Sequence, residues 1–410
     1  MIQPQEACGR SPRQIATRQV CATVGRRDPI RTIFIITALG TGGAEMMLCK
    51  LLAGMDRRRF DPRVICLGGS GTPGARIKAL GVPIHVAGMS PTRPSPISLW
   101  RVCRWVRDMR PDLIQGWMYH GNAAASLAGS LSFRSVPVLW SIRHSVYNLK
   151  YEKARTAALI RLSAVLSRRA RRIIYASRVS ADQHEALGFA PNRTAVIPNG
   201  FDCEQFKPLP HAPAILRKRL NIDEDAILIG LINRFHPMKD HANFLEAAGF
   251  ISQMYPTIHF VLAGSGVDAE NSTLLDLVER YHLQGRTHLL GECDNIPELT
   301  AGLDIATSSS FSESFPNVVG EAMACGVPCV VTDVGHSAAI VGPTGVTVPP
   351  RDPVALAKGW AGLIVGGPAH RERLGGAARQ RIMDNFSLDE IVRQYETLYE
   401  EAVRATPLGN

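Results

Sequence analysis

Long apolar runs are missing from this 410-residue chain. Its richest stretches, Thr32 to Leu39 and Ala226 to Ile232, are of strand length. A membrane-spanning helix needs about 20 apolar residues, so none is expected. Residues 1 to 30 also lack an apolar segment and any periodicity. Arg10, Arg13, Arg18, Arg26 and Arg27 stand there against Glu6 and Asp28, which reads as a disordered basic arm rather than a secretory signal. No CxxC pair and no Cys/His cluster of zinc spacing occurs, and the nine cysteines are odd in number. They read as reduced thiols of a cytoplasmic protein, with neither a disulfide framework nor a metal site. Aromatics make up only 6% of the chain, and none falls between Lys153 and Arg172, the densest basic stretch. A nucleic-acid grip would interleave stacking rings there, so no nucleic-acid partner is expected.

Charge is present but unevenly spread. The chain carries a net +10, yet Ser98 to Ser180 alone holds 15 Lys and Arg against Asp108, Asp112 and Glu152, a local +12. A basic face confined to part of one domain suits an anionic membrane surface, a phosphate-bearing lipid or nucleic acid. Arg161, Arg168 and Arg172 recur at i, i+7 and i+11. That spacing predicts one stripe on a helix beginning near Tyr151, beside Leu159, Leu162 and Leu166, suited to an anionic leaflet.

The length bounds two or three domains, and 45% apolar residues suffice for ordinary cores. Strand-like runs alternate with amphipathic segments throughout, which predicts α/β architecture with parallel sheets. One series runs from Thr32 to Ile197 and a second from Ala226 to Val348. The expected fold is therefore two doubly wound, Rossmann-like domains facing across a cleft. The domains are residues 31–200 and 201–386, with the linker in the loop of Pro208, Pro210 and Pro213. A last helix in 387–410 is expected to pack back on the first domain. Sites in such folds lie at the carboxyl ends of the strands.

The most informative stretch is Ser308 to Asp333, SSSFSESFPNVVGEAMACGVPCVVTD. A strand ends at Ser308, a polar loop carries Glu313, and Pro316 marks a helix start that places Glu321 over a turn inside. The unpaired amides around Asn317 and Val318 form an anion site facing the same space. A carboxylate that accepts sugar or ribose hydroxyls beside such a helix end is the chemistry of a nucleotide-sugar pocket. Taken alone, a solvated glutamate pair would explain the spacing equally well.

The wider context resembles the retaining glycosyltransferases of the large GT-B family four. ESFPNVVGEAMACGVPCVVTDVG carries that family's paired-glutamate motif, with Pro-Asn after the first Glu and EAMA-x-G-x-P after the second. The resemblance spans about residues 31 to 400. It implies that Glu313 contacts the donor sugar, that Glu321 holds the ribose hydroxyls, and that the amides of Phe315, Asn317, Val318 and Val319 meet the sugar and distal phosphate. Arg234 and Lys239, in the segment Gly230 to Asp240, would neutralise the diphosphate. Asn233 stands where the family commonly has Gly. Gly42 and Gly43, in Gly40-Thr41-Gly42-Gly43-Ala44-Glu45, would approach the donor phosphate or the acceptor. Glu45 occupies the third small position of a dinucleotide fingerprint and so argues against a dehydrogenase. His120, after the strand Asp112 to Gly116, matches the histidine placed under the reacting sugar. Arg143 and His144, at another strand end, could meet an acceptor phosphate.

The resemblance implies a retaining transferase that takes a nucleotide-diphosphate sugar, with uridine the family's commonest base, to a glycan or lipid-linked acceptor in cell-surface polysaccharide synthesis. Asp223-Glu224-Asp225 is a literal D-x-D, but it precedes a strand, so neither metal nor cofactor is expected. Two alternatives stay open: a nucleotide-sugar epimerase on the same scaffold, and a non-catalytic nucleic-acid-binding protein.

Overall fold

In the computed structural model the described residues are 28–40, 42–90, 95–132, 135–147 and 149–405. Most of the basic arm, residues 1–27, lies outside them, as do Thr41 and the last five residues. Two parallel sheets dominate. The first contains β1 (Ile30–Ile36), β2 (Phe60–Cys66), β3 (Ile84–Val86), β4 (Leu113–Trp117), β5 (Val138–Ile142), β6 (Arg172–Tyr175) and β7 (Thr194–Val196), in the order β3-β2-β1-β4-β5-β6-β7. The second contains β8 (Ile227–Ile232), β9 (Ile258–Ala263), β10 (Thr287–Leu289), β11 (Ile305–Ser308), β12 (Cys329–Thr332) and β13 (Val346–Val348), in the order β10-β9-β8-β11-β12-β13. The chain is thus α/β with two Rossmann-like domains.

The strand sequences explain this architecture. Phe34 and Ile35 are consecutive and point to opposite faces of β1, yet both are fully buried. A parallel strand covered by helices on both sides needs apolar residues at nearly every position. Strand order reverses between β1 and β4 in the first sheet and between β8 and β11 in the second. At each reversal the connecting helices leave to opposite faces, opening a crevice beyond the strand ends.

The chain crosses between domains earlier than the proline cluster suggested. Residues 198–201 form the crossing, and Pro213 already sits in the first turn of the helix Ala212–Leu220. A second crossing brings Ser387 beside Phe201 in a parallel bridge. Beyond it, the helix Leu388–Arg404 lies on the first domain and completes its core. Its Tyr395 stacks on Trp117, and Tyr399 meets Phe34 and Phe60 edge-on.

The basic stripe is not formed as the spacing predicted. The helix runs from Ala154 to Leu166 and gives way to a tight turn at Ser167–Arg169, and Arg172 opens β6. Leu159 and Leu166 pack against the core, while Leu162 and Val165 are exposed. Ala170, buried at 1%, explains the break, because the chain turns inward there to start the strand.

Tyr399 is fully buried with no hydroxyl partner among the described residues. Tyr399→Ala is expected to lower the unfolding free energy by about 3–5 kcal/mol through the lost ring and the cavity left behind. Tyr399→Phe should leave it within about 1 kcal/mol. Urea titration of both variants measures the difference.

Candidate functional site

The four strands at the two reversals, β1, β4, β8 and β11, each deliver one of the segments singled out from the sequence. Beyond β1, Gly42 caps the helix Gly43–Gly54. At Gly43 the two domains come close, since a Cβ there would lie 3.0 Å from Asn317 Nδ2 of the other domain. The first turns of Gly43–Gly54 and of Asn317–Ala324 therefore meet across the cleft. Each brings unpaired amides and the positive end of a helix dipole, and together they suit a diphosphate. Val319 is a correction to the amide set, because its N–H is already bonded to the Pro316 carbonyl at 3.2 Å. Glu45 bends back over Gly42, and burial raises its pKa.

After β4, His120 stands in the first turn of the helix Met118–Ser130. Met118, at φ +63°, makes the abrupt strand-to-helix turn. Asn122 ties this turn to β5 by exchanging bonds with Ser141, each 3.3 Å. His120 itself is exposed at the cleft end, though the surrounding protein lowers its pKa by desolvation. Below it, the Tyr119 hydroxyl lies 2.7 Å from His184 Nε2, and His184 Nδ1 lies 2.7 Å from the Ser180 carbonyl. With the carbonyl accepting from Nδ1, Nε2 is left to accept from the phenol.

After β8, Arg234 is exposed and Lys239 ends a short turn. After β11 comes Glu313, whose Oε1 accepts from Ser310 Oγ at 2.8 Å and pairs with Lys239. The two loops are further joined by Phe311 N–H to the Met238 carbonyl, 3.0 Å, and Ser309 Oγ to the Lys239 carbonyl, 2.9 Å. Asn233 is buried within this corner, and its own N–H bonds the Ala263 carbonyl at 2.8 Å, so the loop is well anchored without a glycine. Phe315 stacks between Phe201 and His336, with centroids 6.0 and 5.3 Å away.

Glu321 and Val318 line a narrow crevice with Gly230, Ile232, Ile296 and Thr307. Burial pushes the Glu321 carboxyl upward, and Lys50, its Nζ 3.7 Å from Oε1, opposes that shift. Lys50 comes from the middle of Gly43–Gly54 in the other domain and belongs to no motif, so no sequence signal marked it. The same is true of Tyr147, which reaches Glu313's loop from the segment after β5.

Arg143 and His144 are differently placed from the expectation. Arg143 Nη1 donates to the Ile197 carbonyl at 3.1 Å and to Asn199 Oδ1 at 2.8 Å, and the guanidinium lies over the rings of Trp117 and Tyr395. Burial pushes its pKa down to about 9. Its hydrogen bonds among the described residues thus tie Arg143 to the interdomain crossing. His144 Nε2 is engaged by Glu152 at 2.7 Å. Asn199 in turn donates to Asn317 Oδ1 at 2.8 Å, linking the crossing to the start of Asn317–Ala324. Asp223, Glu224 and Asp225 lie exposed in the turn before β8.

Two family profiles match the chain: "Glycosyl transferases group 1" over residues 214–381 and "Glycosyltransferase Family 4" over residues 41–205. N-acetyl-alpha-D-glucosaminyl L-malate synthase of Bacillus anthracis is 33% identical over 192 residues, 46% of this chain and 49% of that protein. D-inositol 3-phosphate glycosyltransferase of Salinispora tropica is 31% identical over 228 residues, 52% of this chain and 47% of that one. The chain thus spans about half the length of these curated relatives. Among solved structures, Anabaena HepE in complex with UDP superposes with a TM-score of 0.80 at 22% identity, covering 91% of this chain and all of that one. This likeness concerns the fold.

The buried imidazole of His184 is pushed down to about 4 from an ordinary value of 6.5. Between these values the unfolded chain binds the extra proton and the folded chain does not. The stability His184 contributes is therefore complete above pH 6.5 and falls as pH drops toward 4, by roughly 3 kcal/mol in all. NMR titration of the His184 ring should show a midpoint near 4, with unfolding free energy declining over the same window.

Proposed function

Because the chain belongs to the group 1 glycosyl transferases, we propose that it moves a sugar from a nucleotide-diphosphate sugar to a glycan or lipid-linked acceptor, with retention of anomeric configuration, in cell-surface polysaccharide synthesis. The observation that carries this reading is the convergence of Gly42 and Gly43, His120, Lys239, and Glu313 with Asn317 at the four strand ends flanking both reversals. HepE has been crystallised with UDP and with UDP-glucose, which supports a uridine donor here.

In the reaction the bond from the anomeric carbon to the diphosphate breaks, and one to the acceptor oxygen forms. The acceptor hydroxyl passes its proton to the departing nucleoside diphosphate, which leaves with it. Charge grows on the leaving diphosphate, so groups aimed there stabilise the transition state more than the ground state. Arg234, Lys239 and the two helix starts serve this role without Mg²⁺. Glu313 orients the sugar hydroxyls, and His120 serves beneath the reacting carbon from a helix start tied to β5 through Asn122. Glu321 accepts the ribose hydroxyls.

The same reading places the protein at the cytoplasmic face of a membrane. Among the described residues no helix is long and apolar enough to cross one. Three neighbouring helices of the first domain expose Ile97, Trp100, Leu127, Leu162 and Val165. Arg101, Arg104, Arg161, Arg168 and Arg169 are exposed among them. Apolar side chains among arginines match the boundary of an anionic leaflet, to which each basic residue contributes about 1 kcal/mol.

A panel of nucleoside diphosphates should single out one base by thermal stabilisation, about 2.7 kcal/mol at 100 times Kd. Lys239→Ala and Glu321→Ala should each weaken that ligand roughly 10- to 100-fold while the fold persists, as befits charge-assisted contacts. Wild-type affinity in both variants would overturn the site. NMR of the product's anomeric proton decides retention, and turnover in EDTA decides metal independence.

Co-sedimentation with anionic vesicles should fall at high salt and in a Leu162→Ser/Val165→Ser/Arg161→Gln variant. Equal recovery with neutral vesicles would overturn the membrane assignment.

A further inference from the structure

The paired-glutamate segment is touched from outside its own domain at three points. At its start, the Tyr147 hydroxyl donates to the Glu313 carbonyl at 3.3 Å and accepts from the Gly335 N–H at 3.0 Å. Four residues on, Asn199 of the crossing donates to Asn317. Four residues further, Lys50 pairs with Glu321. Tyr147 and Lys50 both belong to the first domain.

The Tyr147 contact is specific in its geometry. Gly335, at φ +57°, lies so close to the Glu313 carbonyl that a Cβ on it would be 2.2 Å from that oxygen. The Glu313 loop and the turn after β12 thus pack backbone to backbone, and one phenol bridges both. The Glu313 side chain is separately held by Ser310 and Lys239. Its carboxylate is set from within the second domain, while its backbone is set from the first.

We propose that Tyr147 and Lys50 are positioning residues through which closing of the cleft sets the two donor glutamates. The proposal rests on the donor-site reading above. A nucleotide sugar has to pass between the two walls, so these contacts part to admit it and re-form around it. Tyr147 then brings the Glu313 loop to its working position over the sugar. Lys50, beside the Glu321 carboxyl, favours its charged form, the one that accepts two ribose hydroxyls. Transfer becomes tied to a closed cleft, and neither residue needs to touch the reacting atoms.

Two variants separate the roles. In full-length, unliganded Tyr147→Phe, hydrogen exchange at the Gly335 amide should accelerate about tenfold, since its acceptor is gone; unchanged exchange would overturn the Tyr147 contact. Calorimetry with UDP should find its affinity in this variant within twofold of wild type. With the nucleotide sugar selected by the panel, kcat should fall about tenfold at nearly constant KM. An unaltered kcat, or a matching loss of UDP affinity, would overturn the positioning role. Lys50→Met should weaken UDP at least fivefold and leave Gly335 exchange unchanged, with Lys50→Arg restoring most of the affinity; wild-type affinity in Lys50→Met would overturn its role. If wild-type protein bound no nucleoside diphosphate at all, the donor reading would fail. The exchange measurement would still judge the Tyr147 contact alone.

Discussion

The chain passes between its domains twice, and the two passages are bonded to each other. Phe201 N–H donates to the Phe386 carbonyl and Leu388 N–H donates to the Phe201 carbonyl, both at 2.9 Å. The Phe201 ring fills the space beside Gly320, where a Cβ would meet it at 2.1 Å. Two adjacent crossings bonded to each other restrict the relative placement of the domains more than a single one would. That restriction lets strand ends from separate sheets act as one site. It also explains why the last helix returns to the first domain: the second crossing delivers it beside β1 and β4, where Trp117 and Phe34 need cover.

Around the crossings the polar groups form a connected series. Arg143 holds the crossing through Ile197 and Asn199, and Asn199 holds Asn317. Lys239 pairs with Glu313 within the second domain, and Lys50 pairs with Glu321 across the two domains. An unpaired buried charge is costly, and each glutamate has a lysine beside it. The helix starts at Gly43 and Asn317 add positive potential that needs no side chain and requires no reorganisation.

The basic segment of the first domain serves more than one purpose. Arg143 is taken into the crossing, and Arg172 begins a strand. Arg161, Arg168 and Arg169 remain on the surface beside Leu162 and Val165. A charge count over sequence merges these roles, because burial depends on where the chain turns, and here the turn follows Leu166.

What the sequence determined by itself was local. Apolar runs bounded by turn residues marked the parallel strands to within a few positions, because strands covered on both faces must be apolar throughout. The stretch from Glu313 to Glu321 announced its loop and helix through Pro316 and the breaker at Gly326-Val327-Pro328, and with them the fold class. Tertiary structure alone decided everything that depends on two distant segments meeting. Lys50 looks like any solvent-facing helix lysine until the opposite domain supplies Glu321. Tyr147 sits in an unremarked loop until Gly335 and Glu313 arrive beside it. Arg143 looks like a phosphate ligand until the crossing and Tyr395 enclose it. Such contacts leave no periodicity or spacing in the chain, since neither partner's neighbours in sequence constrain where the other will be.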